Sequence, residues 1–287
     1  MKIKELLNQP QKKVTFSCEI FPPKKDTDFP GIFQTVDAIQ ALGVDFISVT
    51  YGAGGSTSKK TVDVASYIQN THHTPALAHL TCCDSTREEI RQGLEEMKER
   101  GIENILALRG DRPKDFVPGP YTYAIDLIRD IKSQGDFCIG AACYPEGHVE
   151  CEHKEDDIAY LKEKVDAGCD FLTTQMFFDN NIYYNFLYRI LAAGIHVPVI
   201  PGIMPVINSK QIKRSCELSG TVLPTRFKAI ADKFSDDPQA MEQAGIAYAT
   251  EQIIDLIANG VKYIHLYTMN RPKTAGKIME NLSHILR

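Results

Sequence analysis

The groups in this chain that could do chemistry sit in short polar strings, each following an apolar run. The first is Phe16-Ser17-Cys18-Glu19-Ile20-Phe21-Pro22-Pro23. Glu19 is a carboxylate in an apolar run with no cation beside it in the sequence. Partial burial would raise its pKa and make it a proton donor near neutral pH. The alternative is a solvated carboxylate at a strand end. The second string runs from Ser48 through Thr50 and Tyr51 to Gly52-Ala53-Gly54-Gly55-Ser56. Its glycines allow close backbone approach to a ligand, but it lacks both GxGxxG spacing and a P-loop lysine.

The third string, Ala78-His79-Leu80-Thr81-Cys82-Cys83-Asp84, carries the main competing chemistry. Two thiols and an imidazole could hold zinc. Adjacent side chains of an extended segment point apart, however, and the chain contains no CxxC. A second group with metal-ligand residue types is Cys143, His148, Cys151 and His153. Free thiols are the favoured reading of both, with no metal expected. Further on, Arg109 and Asp111 flank Gly110, either as a structural ion pair or as one charge of each sign beside a polar ring. Tyr144 offers a flat face and a hydroxyl. Gln175 can both donate and accept, which suits the amide-like edge of a heterocycle. Arg271 could bind a carboxylate bidentately, or pair with a neighbouring loop.

The elements that must position these residues alternate. Apolar, β-rich runs at Val14–Ile20, Val44–Thr50, Ala76–Leu80, Asn104–Leu108, Phe137–Ala142, Phe171–Gln175, Val197–Ile200 and Tyr263–Tyr267 are each followed by a helical pattern. Most strand starts are about 30 residues apart, the span of one βαβ unit. Gly43, Gly101, Gly135, Gly168, Gly194 and Gly260 stand where helices should end. Ser85 and Glu88 fit an N-terminal capping box. The excess at about Thr221–Asn259 reads as extra helices inserted before strand eight. Eight such units in 287 residues, with no linker, predict an α/β protein of one domain, residues 1–287. The expected fold is a (β/α)8 TIM barrel rather than an open sheet. Barrel active sites lie at the C-terminal strand ends, where the polar strings fall.

Composition narrows the function. Hydrophobic residues are 43% and charged residues 24%, enough for a packed core and unlike a disordered chain. The net charge of -5 argues against a nucleic-acid surface. No apolar run approaches the roughly 18 residues of a membrane span, and the polar start is unlike a signal peptide, so a cytoplasmic protein is expected. Eight cysteines in a chain of this size read as free thiols in a reducing compartment.

Taken in order, FSCEIFPP, VTYGAGGS, HLTC, LRGD, YPEGH, TQMFFD, PGIMPV and YTMNR resemble the methylenetetrahydrofolate reductase family of the bacterial type, over about residues 14 to 285. The resemblance implies an FAD-containing barrel that passes a hydride from NADH or NADPH through the noncovalently bound flavin. The acceptor is 5,10-methylenetetrahydrofolate, reduced by ping-pong kinetics to 5-methyltetrahydrofolate, which supplies methyl groups for methionine synthesis. Longer relatives carry a regulatory domain after the barrel, and none is expected here. By this resemblance Glu19 matches the acid that opens the methylene bridge, and Asp111 the aspartate at the flavin pyrimidine edge. Gln175 and Arg271 match folate-binding positions. Thr50, His79, Arg109, Gly110, Tyr144 and His148 match flavin-contacting positions. Asp157 and Lys164 match positions for the adenosine and phosphate part of FAD. Ser215 stands where some relatives have an aromatic residue.

Two other functions remain open at this level. One is a zinc-dependent methyltransferase barrel that binds homocysteine through Cys82 and Cys83. The other is a folate-binding or flavin-carrying accessory subunit that turns over only inside a larger complex. Relatives are often oligomers, and a homo-oligomer is expected. The choice between NADH and NADPH is not legible.

Overall fold

The structure, a computed structural model, describes residues 1–10, 13–51, 57–112 and 119–286. The glycines of the second string and Pro113 lie outside these residues.

The strands are rich in Val, Ile, Leu and Ala on the face that the helices cover, as parallel strands packed under helices must be. They form β1 (Thr15–Ile20), β2 (Phe46–Val49), β3 (Ala76–Thr81), β4 (Asn104–Leu108) and β5 (Cys138–Cys143). β6 (Phe171–Thr174), β7 (Val199–Ile200), β8 (Gly202–Ile203) and β9 (Tyr263–Tyr267) complete the set among the described residues. All pair in parallel, in the order β7-β6-β5-β4-β3-β2-β1-β9-β8. The result is a nearly closed, TIM-barrel-like α/β fold.

The expected seventh strand, Val197–Ile200, is observed as β7, and a further short strand, β8, follows it in the segment after Pro201. Pro201 separates β7, which pairs with β6, from β8, which pairs with β9. Proline has no N–H to give a ladder, but its carbonyl accepts from His265 N at 3.0 Å. Gly202 N turns to Thr174 Oγ1 at 2.9 Å. One interrupted strand thus bridges both edges of the sheet.

The helices are α1 (Ile3–Leu7), α2 (Phe29–Gln40), α3 (Thr57–His72), α4 (Arg87–Glu99), α5 (Ala124–Gln134) and α6 (Lys154–Asp166). They continue with α7 (Asn180–Ala192), α8 (Ser209–Ser219), α9 (Thr225–Lys233), α10 (Pro238–Ala258) and α11 (Pro272–Asn281). The insertion before the last strand is therefore α9 and α10. The capping box at α4 lies one residue later than expected: Thr86 accepts from Glu89 N, and Glu89 accepts from Thr86 N. Ser85 instead donates to Thr81 O. Five of the six cap glycines take left-handed φ; Gly135, at 169°, is simply extended.

The short helix α1 plugs the N-terminal end of the barrel. Ile3, Leu6 and Leu7 pack on Phe46, Leu77, Leu106 and Phe171. Asn104 Oδ1 accepts from Ile3 N at 2.7 Å, and Tyr263 donates to Leu7 O at 2.8 Å. With that end filled, access to the barrel interior is from the C-terminal strand ends.

Candidate active site

Strand side chains alternate, so polar residues two apart share a face. On β1, Ser17 and Glu19 share the interior face; Phe16, Cys18 and Ile20 belong to the outer core under the helices. Register then chooses the neighbours. Glu19 lies opposite Ser48 of β2 and Tyr267 of β9, and Ser17 lies opposite His265. The consequence is a buried polar cluster that no single string shows. Glu19 Oε2 is 3.5 Å from His79 Nε2, 3.6 Å from His265 Nε2 and 3.4 Å from the Ser48 hydroxyl. Behind it, His265 Nδ1 is 2.8 Å from Ser17 Oγ, which donates to Ile264 O.

This cluster corrects the expectation for Glu19. Burial is the largest influence and does push the carboxyl up. The imidazoles of His265 and His79 and the Ser48 hydroxyl, all turned toward the carboxylate, together outweigh it, and hold the group below the ordinary carboxylate value. Glu19 of the free protein is therefore a carboxylate at neutral pH. His79, 5% exposed, is pushed down to about 4 by burial, against the attraction of Glu19, and is neutral.

The His79 shift makes a stability prediction. A base whose folded value (about 4) lies below its unfolded value (6.5) binds fewer protons folded than unfolded in that window. Its stabilising contribution is complete above pH 6.5 and is lost as pH falls toward 4, by about 3 kcal/mol. The lowered Glu19 carboxyl works in the same direction. Urea unfolding of the ligand-free protein across this range should show the loss, and His79→Asn should flatten it. An unchanged slope in the variant would contradict the assignment.

Above the cluster opens a cavity of about 1080 Å³. Glu19, Thr50, His79, Gly110, Asp111, Tyr144 and Gln175, all singled out by sequence, line it together. Gln175 Oε1 accepts from Met176 N at 2.9 Å, which fixes its amide. At Gly110 φ is +89°, and a Cβ there would lie 3.1 Å from Cys83 Sγ and from Thr81 Cβ. Glycine lets the Arg109–Asp111 backbone lie close on β3.

Arg109, His148, Asp157 and Lys164 continue outward from Tyr144 rather than lining the cavity. His148 packs edge-on against Tyr144, with ring centroids 4.6 Å apart. Burial pushes the Tyr144 hydroxyl up to about 12. Arg109 forms a bidentate pair with Glu150, at 2.6 and 2.7 Å, that raises its pKa. Burial raises the Asp157 carboxyl, which accepts a backbone bond from His148, and lowers the Lys164 amine. Lys164 Nζ donates to Ala142 O at 2.8 Å, directly under the cavity wall. Arg271, exposed at the start of α11, stands outside the lining.

Three features fit an elongated, flat, phosphate-bearing cofactor such as FAD. Thr50 Oγ1 and His79 Nε2 are buried without a hydrogen-bond partner, which leaves them for a ligand. Lys164 is a half-buried cation at the outer end, where a diphosphate needs charge. The volume accommodates a tricyclic ring with a second flat ring against it.

The thiols behave as free cysteines. Cys82 Sγ points to Tyr123 O and Cys83 Sγ to Asp111 O, so the pair diverges. Among the described residues no three His, Cys, Asp or Glu side chains converge on one metal position. No helix of the described residues is long and apolar enough to cross a membrane.

Reading by strand ends missed Ser17, Ser48, His265 and Tyr267. Tyr267 lines the cavity floor and donates to Thr174 O at 2.5 Å. The missed signal was polar residues at period two inside apolar strands.

The family model described as methylenetetrahydrofolate reductase matches residues 2–283. The chain is 38% identical over 300 residues to methylenetetrahydrofolate reductase (NADH) 1 of Arabidopsis thaliana, with 99% of this chain and 50% of that protein covered. It thus spans about half the length of that plant relative. To the 5,10-methylenetetrahydrofolate reductase of Escherichia coli (strain K12) it is 35% identical over 283 residues, covering 98% of this chain and 94% of that protein. Among solved structures, an uncharacterized protein from Clostridium thermocellum, described as binding two copies of 5-methyl-5,6,7,8-tetrahydrofolic acid, superposes with a TM-score of 0.67. At 14% identity over 99% of this chain and 100% of that one, this likeness speaks to the fold alone. The chain belongs to the methylenetetrahydrofolate reductase family.

Proposed function

We propose that this protein reduces 5,10-methylenetetrahydrofolate to 5-methyltetrahydrofolate, with FAD as the noncovalent carrier of hydride from NADH or NADPH. The observation that carries the reading is Glu19. It is a largely buried carboxylate on the floor of a cavity that also holds Asp111 and Gln175. Bound FAD would accept a hydride from the nicotinamide and later deliver it to the folate methylene carbon.

The protein's own residues supply the rest. The five-membered ring of the folate opens only if its leaving nitrogen is protonated. Ser17 donates to Ile264 O and so accepts from His265 Nδ1, which leaves Nε2 facing Glu19. A proton taken up by this pair is held between His265 Nε2 and Glu19 Oε2, one transfer from the substrate. Folate covering the cavity expels water and strengthens burial, already the largest influence on Glu19. The carboxyl then moves toward its neutral, proton-donating form. Gln175, with its amide fixed by Met176 N, would hold the pterin edge, and Arg271 a carboxylate of the folate tail. Thr50, His79, Gly110 and Tyr144 would hold the isoalloxazine ring. His148, Asp157 and Lys164 would hold the dinucleotide tail, with Arg109 bracing the loop through Glu150. Two flat rings held in register is an orientation task, from which much of the rate gain comes.

Flavin identity tests the reading. Denaturing the holoprotein should release FAD, one per chain, without covalent attachment. Release of FMN, or no flavin uptake on reconstitution, would overturn it.

A further inference from the structure

The Arg109-Gly110-Asp111 turn is held at three points by the two residues that follow β3. Cys82 N and Cys83 N both donate to Arg109 O, at 3.1 and 2.8 Å. The Cys83 thiol then donates to Asp111 O at 3.2 Å. Between these contacts Gly110, at φ +89°, holds a conformation that disfavours a side chain, and a Cβ there would press to 3.1 Å from Cys83 Sγ and Thr81 Cβ. Cys83 is 6% exposed, and both it and Asp111 line the cavity. Cys82, its neighbour, points the other way, to Tyr123 O at 3.9 Å.

We infer that Cys83 is a positioning residue, whose thiol fixes the Asp111 backbone and so aims the Asp111 carboxylate at the electron-accepting ring bound in the cavity. This rests on the flavin reading above. The physical reason is leverage. A carboxylate at the turn's end carries its charge on a short arm, so a small rotation of the Asp111 peptide moves that charge relative to the ring. Asp111 is exposed in the free protein, and a ring bound in the cavity would cover its carboxylate, after which Coulomb energy depends steeply on that distance. The two backbone bonds to Arg109 O fix the start of the turn, and the thiol contact fixes its end. A negative charge beside the ring edge that gains charge on reduction disfavours reduction and makes the reduced ring a better hydride donor.

The test uses fully FAD-loaded protein and two backgrounds. Cys83→Ala removes the donor, Cys83→Ser keeps one, and Cys82→Ala is the neighbouring control. The readouts are the flavin midpoint potential, the FAD dissociation constant and the rates of the two half-reactions. Cys83→Ala should raise the midpoint potential in the direction produced by Asp111→Asn. It should slow reoxidation by folate about tenfold, the scale of sub-ångström misplacement, with reduction by NADH less affected. Cys83→Ser should restore both readouts, and Cys82→Ala should move neither. In the Asp111→Asn background Cys83→Ala should shift the potential no further, because two changes acting through one charge do not add. An unshifted potential in loaded Cys83→Ala, or an equal shift in both backgrounds, overturns the inference. Failure of wild-type protein to bind flavin overturns the functional reading instead.

Discussion

Glu19→Gln should leave reduction of the flavin by NADH or NADPH within about tenfold of the parent, yet slow the folate half-reaction by roughly 10²-fold or more, the scale of general acid catalysis. The two half-reactions differ in what they ask of the protein. Hydride transfer from a nicotinamide to the flavin needs no acid at Glu19, whereas opening the folate ring needs a proton at the leaving nitrogen. Glutamine keeps the volume of Glu19 and can still meet His265 and Ser48, so the cavity floor stays packed. It cannot carry the proton. Rapid-reaction measurements of each half-reaction on fully loaded protein would check this. Equal loss in both would assign Glu19 to holding the flavin or the fold.

Gly245→Ala should lower stability by about 3 kcal/mol or more, although alanine is the better helix former by about 1 kcal/mol. Gly245 lies inside α10, where a Cβ would stand 1.7 Å from Val206 O and 2.6 Å from its carbonyl carbon. Those atoms are backbone, so no rotamer can move aside. Val206 follows β8 and packs with Met176, Phe178, Phe227 and Met241 in the core that joins the extra helices to the barrel. Relief would have to come from displacing α10 or the chain between β8 and α8. Thermal unfolding should show a fall of roughly 5–10 °C. A rise would mean that helix propensity wins and that the close approach is absent.

Most of the architecture was legible because it rests on local signals. Apolar, β-rich runs, glycines after helical patterns and 30-residue spacing are properties of neighbouring residues. The barrel followed from their number. The divided seventh strand was partly visible in Pro201, which has no N–H for the ladder. The capping box slipped by one residue because Ser85 and Thr86 are both competent caps, and only the direction of the preceding turn chooses between them.

The site was legible in membership and less so in electrostatics. Seven strand-end residues converge on one cavity, as parallel strands of a barrel require. Glu19, however, has no cation near it in the sequence, and its two histidines come from β3 and β9. Their approach depends on register, which brings Ser48 and Tyr267 opposite Glu19 and His265 opposite Ser17. Hence the direction expected for its pKa was reversed. The pattern that would have shown the partners is polar alternation within the strands: Ser17 and Glu19, Ser48 and Thr50, His79 and Thr81, His265 and Tyr267. Arg271 illustrates the converse. Its position at a strand-end loop was legible, but it lies outside the cavity lining and its proposed role needs a long ligand.

The central claim is that one cavity passes a hydride from nicotinamide to folate by way of FAD. Its most direct measurement is an anaerobic titration of the holoprotein, followed at the flavin absorbance near about 450 nm. NADH or NADPH should bleach the band, and 5,10-methylenetetrahydrofolate added afterwards should restore it with stoichiometric formation of 5-methyltetrahydrofolate. A band that bleaches with nicotinamide and stays bleached in excess methylenetetrahydrofolate would contradict the account.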